Sequence, residues 1–471
     1  MNKMQIVVQG QAEVTRFWEG TRHQNLSYRL MRYSVTERCD DGWLLLNTVT
    51  GELVLVSDEN EKWFCNLPSP YTPEMDDLIE HRFLVPIDFD ENKSVNQLRN
   101  ILQKFHSTKG IITNYSIIPT TGCNARCFYC YESGFPHHTM TSEIVEKTIS
   151  FIEGHCGSKR KVLLHWFGGE PTICDSIIDR ICDGLMEKQI SFTSAMISNG
   201  YLFTEEMVLR AKNKWKLRKV QITLDGTEEV YNKTKAYVNV KESAYRRVIK
   251  NISLLLDAGI AVSVRMNLGF YNAEDIGSLI DELMGAFVEK KDFSAYVHEL
   301  FEDKGFIPVS HTDDERRSLI DIKRKLNKRI VDNGCNCPEV LTKKSPLPRV
   351  KLYHCMADNP STVFVNPLGQ FGKCEHLIYS DLIGSLEEGI DDVSETYVQW
   401  HNPQYDRLCR SCSLYPYCGR IQTCEAAGKC YEEQVNDKIL TIRNNILSLY
   451  IDKKNAYFST KEDDDNAKAC V

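Results

Sequence analysis

Cys123-Asn124-Ala125-Arg126-Cys127-Phe128-Tyr129-Cys130 sets three thiols at spacings of three and two residues, directly after the apolar run 112–120. An iron–sulfur cubane is normally held by four thiolates. Three thiolates leave one iron open, and an open iron can bind and activate a ligand. The competing reading is a zinc knuckle. Structural zinc wants four closed ligands, and no fourth Cys or His stands at knuckle spacing; His137 and His138 come nearest.

Outward from this stretch, residues 111–334 alternate strand and helix six times. Strands are expected at 112–120, 161–168, 192–199, 219–225, 261–268 and 294–300, and helices at 142–155, 176–188, 204–214, 243–258, 273–287 and 313–332. Thr141 and Thr204 sit ahead of acidic residues as helix caps. Apolar strands alternating with amphipathic helices argue for a parallel α/β sheet, and six units fall short of an eightfold barrel. In such barrels chemistry lies at the C-terminal strand ends. The polar and glycine-rich signatures fall there in order. Gly168-Gly169-Glu170-Pro171 follows the second strand, Ser198-Asn199-Gly200 ends the third, Thr223-Leu224-Asp225-Gly226 ends the fourth, and Arg265-Met266-Asn267 lies late in the fifth. Glycines 168 and 169 let backbone approach a ligand closely. Arg265 offers a guanidinium fork suited to a carboxylate, or else a structural ion pair. Asp225-Gly226 also reads as a plain turn.

The CxxxCxxC spacing with an aromatic before its last cysteine resembles the radical S-adenosylmethionine (SAM) family. That resemblance implies an open, partial (β/α)6 barrel. It implies a [4Fe–4S] cluster on Cys123, Cys127 and Cys130 whose open iron chelates SAM, and cleavage of SAM to methionine and a 5′-deoxyadenosyl radical. It further implies that Gly168, Gly169 and Glu170 hold the SAM amino group. Asn199 and Asp225 are then candidates to bond ribose or carboxylate oxygens, Arg265 to bond a carboxylate, and Tyr129 to lie along the adenine.

The chain has 18 cysteines, nine of them between Cys335 and Cys430. In a large chain this points to metal rather than to disulfides. Cys355-x13-Gly369-x4-Cys374, then Cys409-x2-Cys412-x5-Cys418-x5-Cys424, and Cys430 resemble the SPASM extension of radical SAM enzymes, which holds two auxiliary [4Fe–4S] clusters. By position, Cys355, Cys374 and Cys424 would serve the first, and Cys409, Cys412, Cys418 and Cys430 the second. The family usually shows x3 rather than x5 before the sixth cysteine. The first set is one thiol short, so Cys335 or Cys337 completes it or the site stays open to substrate. A pair of zinc sites is the alternative. Glu375 follows Cys374 where related sulfatase-maturing enzymes carry an aspartate that accepts a proton; the rival reading is a structural acid.

Residues 1–105 read as a small α+β domain, winged-helix-like, with a hairpin around Gly51 and helices near 57–65 and 73–81. Such modules precede many peptide-modifying relatives and bind a precursor's leader as an added strand. The barrel occupies 106–334, the cysteine-rich extension 335–455 and an acidic disordered tail 456–471. An amphipathic helix over 431–453 closes the extension by core packing. The net charge of −8 argues against a general nucleic-acid binder, and no apolar run reaches membrane-spanning length, so the expected location is cytoplasmic. The reading that results is a peptide maturase forming a thioether or carbon–carbon cross-link, fed by a flavodoxin or ferredoxin. An anaerobic sulfatase maturase and a non-catalytic iron–sulfur electron carrier are its rivals.

Overall fold

The computed structural model describes residues 4–21, 23–58, 64–106, 110–240, 242–300, 312–340, 346–401, 409, 411–418 and 430–469, with no side chain described at 313 or 457–469. The N-terminal strands are β1 (Met4–Val8), β2 (Ser27–Leu30), β3 (Ser34–Cys39), β4 (Gly42–Asn47), β5 (Glu52–Ser57), β6 (Ser69–Pro70) and β7 (Leu84–Pro86). They form an antiparallel sheet in the order β1-β5-β4-β3 and a small sheet β6-β2-β7. The expected hairpin forms, with Asn47 opposite Glu52 and Gly51 at a φ of +75°, a value that favours glycine. A turn in which Ser34 N donates to Met31 O at 3.0 Å separates β2 from β3. The helix expected at 73–81 is a 3-10 turn, Pro73–Met75, running into the helix Asp76–Glu80. That expected over 57–65 falls mostly on residues outside those described.

The six barrel strands are β8 (Asn114–Ile117), β9 (Lys161–Trp166), β10 (Ser191–Ser198), β11 (Leu217–Thr223), β12 (Ala261–Leu268) and β13 (Phe293–Glu299). They pair in parallel, each with its sequence neighbour. The expected α/β partial barrel is therefore the fold. Its helices begin where their caps predict: Thr141 accepts from Ile144 N at 3.3 Å and Thr204 from Met207 N at 3.2 Å. One helix, Glu228–Lys235, is additional. Alternation along the strands sends Tyr115, Leu164, Met196, Ile222 and Val264 into the apolar core beneath the helices. Ser116, His165, Gln221, Arg265 and Tyr296 point to the opposite, inner face.

The sheet does not stop at β8. Strands β14 (Thr362–Val365), β15 (Gln370–Gly372), β16 (Leu382–Ser385) and β17 (Gly389–Ile390) continue it beyond β8 to ten strands. β14 runs parallel to β8, with Val365 opposite Ile117, and satisfies the backbone groups of what would be an edge. The cysteine-rich extension thus starts inside the barrel sheet rather than beside it.

The closing helix is Glu432–Ala469. It runs on past 453, with no glycine or proline after Glu432 to stop it. Ile442 and Ile446 pack on Val35, Leu44, Leu46 and Leu53 of the N-terminal sheet, with Val435, Ile439 and Leu449 beside them. Buried Arg99 donates to the carbonyls of Lys351, Tyr415 and Pro416 at 2.8–3.1 Å. The first hundred residues and the last hundred therefore share one core. No helix among the described residues is long and apolar enough to cross a membrane.

Candidate active site

The cysteine loop leaves the C-terminal end of β8 and is pinned by backbone. Gly169 N donates to Thr120 O at 3.2 Å and Glu170 N to Gly122 O at 2.9 Å. A β-carbon at Gly168 would lie 2.4 Å from Thr120 O, and one at Gly169 2.4 Å from Gly122 O. The close approach these glycines permit is thus to the chain's own cysteine loop, a correction to the expectation that the freed space faces ligand.

Glu170 also differs from expectation. Its Oε1 accepts from Thr172 N (3.1 Å), Thr172 Oγ1 (2.5 Å) and Ser198 Oγ (2.9 Å), and its Oε2 from Asn199 N (2.7 Å). The residue is 0% exposed and offers no surface to an ammonium group. It fastens the end of β9 to the end of β10. Asn199, held this way, donates from Nδ2 to Asn124 Oδ1 at 2.7 Å and stands 3.9 Å from Cys123 Sγ.

Beneath the loop lies a buried charged network. Lys235 Nζ is 2.9 Å from Asp225 Oδ2 and donates to Tyr129 Oη at 2.8 Å. Tyr129 Oη donates to Asp225 Oδ2, while Asn267 Nδ2 donates to Tyr129 Oη at 3.2 Å and Asn267 N to Asp225 Oδ1 at 3.3 Å. Burial works against the Lys235 charge, but Asp225, Cys127 and Tyr129 outweigh it and hold the ammonium well above its ordinary pKa. Asp225 and Tyr129, expected to meet ribose and adenine, meet Lys235 and Asn267 instead. Arg265 Nε bonds Asn267 Oδ1 at 2.9 Å and lies opposite Tyr296, whose Oη donates to Gln221 Oε1 at 2.8 Å.

Cys123 is pushed up to about 12 and Cys130 to about 11 by burial first. Burial also raises Cys127, against the pull of Lys235. The charges of Cys127 and Cys130 each raise Cys123, so the three thiols share one locality. Among the described residues no three or more His, Cys, Asp or Glu converge on one ion. Ala125 N donates to Cys123 Sγ at 3.4 Å, a bond that stabilises a thiolate. The loop therefore fits an iron–sulfur cluster, whose binding must displace three protons.

On the inner face, Glu375 accepts from His165 Nδ1 at 2.9 Å and from Ser116 Oγ. Burial opposes its charge, yet these bonds hold the carboxyl below the usual carboxylate range. Ser116 and His165 are register partners on β8 and β9, and β14–β15 deliver Glu375 to them. The Tyr131 ring packs 4.5 Å from His376, and the neighbouring Glu132 is pushed up to about 7 by burial. Sequence reading missed Ser116, His165, Glu132 and Lys235. His165 alone left a signal, as the polar inward position of an otherwise apolar strand.

Downstream, burial raises the Cys412 thiol, and Cys418, Cys430 and Cys409 raise it further. These four expected ligands therefore lie together. Cys424 lies outside the described residues. Cys355 N donates to Asp358 Oδ1 at 2.9 Å, and the Cys355 thiol bears on the charge of buried Lys373, next to Cys374. Cys335 and Cys337 are core thiols, with Cys337 Sγ 3.4 Å from Asn327 Oδ1.

Residues 117–283 match the family model described as the Radical SAM superfamily, so the barrel is a radical SAM domain. The structure of anSMEcpe with bound AdoMet resembles the chain with a TM-score of 0.56 at 14% identity, covering 72% of this chain and 99% of that one. Native anSMEcpe with bound AdoMet and the Cp18Cys peptide gives 0.54 at 14%, covering 73% and 99%. Streptococcus suis SuiB bound to precursor peptide SuiA gives 0.48 at 15%, covering 87% and 96%. No curated protein matches the sequence.

Proposed function

We propose that this radical SAM domain and its cysteine-rich extension form a SPASM-type maturase that cross-links a ribosomally made peptide through a thioether or carbon–carbon bond. One observation carries the reading. The CxxxCxxC loop stands at the mouth of the parallel sheet, and Glu375 of the extension reaches the inner face of that sheet on β8 and β9. A [4Fe–4S] cluster on Cys123, Cys127 and Cys130 supplies, when bound, the electron that cleaves SAM to methionine and a hydrogen-abstracting 5′-deoxyadenosyl radical.

The chain's own residues do the rest. Backbone bonds from Gly169 and Glu170 fix the thiols, and the Lys235–Asp225 pair fixes Tyr129 beside Cys127. Asn199 and Arg265 remain the polar groups for SAM or for a peptide carboxylate. Of the two hydrogens the peptide loses, one leaves as an atom to the 5′-deoxyadenosyl radical and the other as a proton to Glu375, kept ionised by His165 and Ser116; the one electron left over would pass to one of the iron–sulfur clusters. The walls of the barrel exclude water from the radical. Cys409, Cys412, Cys418 and Cys430 would hold one auxiliary cluster, and Cys355, Cys374 and Cys424 would contribute to another. A flavodoxin or ferredoxin would deliver the electron.

The N-terminal domain supports a leader-bearing substrate, because β1 and β3 each pair on one side only among the described residues and a peptide can add there as a strand. The peptide seen with anSMEcpe, which shares this fold, supports the substrate class. The test is anaerobic reconstitution with iron and sulfide, then reduction with SAM and a leader-bearing peptide. About twelve irons per chain, 5′-deoxyadenosine and a mass loss of two hydrogens in the peptide are expected. Iron without SAM cleavage would leave an electron carrier, and cleavage with formylglycine as product would leave a sulfatase maturase.

A further inference from the structure

The N-terminal domain holds a cavity of about 450 Å³ between the segment following β1, the Thr50–Glu52 turn and the end of the helix Asp76–Glu80. That volume lies within the roughly 300–1,000 Å³ of small-ligand sites. Its wall is closely built, for Gly20 N donates to Glu80 O at 2.9 Å and a β-carbon at Gly20 would meet Ile79 O at 1.8 Å.

Two residues that line this cavity each carry a buried polar atom without a hydrogen-bond partner among the described residues. One is Trp18 Nε1, a donor, on a side chain 2% exposed. The other is Glu52 Oε1, an acceptor, on a side chain 1% exposed; its Oε2 is engaged by His81 Nδ1 at 2.8 Å. Buried polar atoms in folded proteins are usually paired; here a donor and an acceptor without partners belong to two residues of one cavity lining. A donor and an acceptor orphaned in one cavity therefore describe a ligand that both accepts and donates. The charge of the lining narrows the class. Among the described residues, Glu19, Glu52 and Glu80 line the cavity with His81 as the one basic residue. Arg82 lies over the Trp18 ring at 4.8 Å but lines the adjoining smaller cavity.

We propose that this cavity receives one lysine or arginine side chain of a bound peptide, its cation donating to Glu52 Oε1 and a peptide carbonyl accepting from Trp18 Nε1. The assignment of the cation to a peptide rests on the leader-recognition reading above. The cavity adjoins the segment following β1, at the opposite end of the strand order from β3, so it adds a side-chain requirement to strand addition.

The full chain is titrated with Nα-acetyl-L-arginine amide, Nα-acetyl-L-lysine amide and the neutral Nα-acetyl-L-glutamine amide, by calorimetry and by tryptophan fluorescence. The cationic probes are expected to bind about tenfold tighter than the neutral one, with Glu52→Gln removing about that factor. Because Glu52 also holds His81, Glu19→Gln at the exposed rim is the second variant, expected to weaken binding about threefold with an unchanged unfolding midpoint. Trp18→Phe should erase the fluorescence response. Equal affinity for cationic and neutral probes, no binding at all, or binding indifferent to both glutamate variants overturns the site and leaves water as the occupant. Preferred binding of the cationic probes, with leader-bearing and leaderless peptides modified at equal rates, keeps the cation site and removes its peptide carrier.

Discussion

The two groups of cysteines are held by different means. Around Cys123–Cys130, bonds arrive from segments distant in sequence: Gly169 N to Thr120 O, Glu170 N to Gly122 O, Arg126 N to Lys235 O and Val238 N to Asn124 O, all within 3.2 Å. Around Cys409–Cys418 the described backbone bonds among the cysteines are local, Cys412 N to Cys409 O at 3.2 Å and Cys418 N to Leu414 O at 2.8 Å. Anchorage there comes from the N-terminal domain, through Thr48 Oγ1 to Ser413 O at 3.2 Å and Arg99 to Tyr415 O at 2.8 Å. The first loop is shaped by the sheet before any metal binds. The second relies on its neighbours and on ligation, so metal binding there should contribute directly to folding.

The largest expected effect separates the two groups. Cys127→Ala should abolish 5′-deoxyadenosine formation and remove about four irons per chain, with the fold retained by circular dichroism. Cys412→Ala should remove a similar amount of iron, leave SAM cleavage in place and make residues 411–418 sensitive to protease. Equal loss of 5′-deoxyadenosine in both would erase the distinction.

Glu375 crosses the division, downstream in sequence but bonded to β8 and β9. Glu375→Gln should slow peptide modification roughly 10²- to 10⁴-fold while 5′-deoxyadenosine still forms; a change confined to SAM cleavage would assign Glu375 to the first cluster instead. Its folded pKa is lowered. The stabilisation it contributes is therefore present above the unfolded value and lost as pH falls through the folded one, so modification should fail on the acid side.

Lys235 tests how far the first loop depends on buried charge. Lys235→Met leaves Asp225 buried and unpaired, at a cost of about 3–5 kcal/mol in denaturant unfolding. Lys235→Met with Asp225→Asn should recover much of that loss. Gly169→Ala drives a methyl group into Gly122 O and should cost about 1–3 kcal/mol and lower iron loading at the first cluster only. Full loading would show that the backbone bonds do not shape it.

The smallest effect lies away from both cysteine groups. His81 has its pKa raised above the ordinary value, chiefly by its bond to Glu52. That pair adds stability below the unfolded pKa of about 6.5 and loses it as pH rises through the folded one. The magnitude should be a few tenths of a kcal/mol, read by thermal unfolding at pH 6 and pH 9 and absent in Glu52→Gln.

Sequence alone determined the elements whose signals are local. Cysteine spacing marked the first cluster loop, period-two and period-3.6 patterns placed six strands and six helices within a few residues, and the threonine caps set helix starts. It also read the 435–449 stripe as core. Only tertiary structure decided what depends on contacts far apart in the chain. The pairing of β14 with β8 brings Glu375 to His165 from 210 residues away. The helix Glu228–Lys235 puts a lysine beneath the cysteines, and Glu170, Gly168 and Gly169 turn toward their own backbone. The physical reason is that a buried charge or an unpaired strand edge is resolved by whichever partner the fold brings near, and no local pattern in a single chain records that partner.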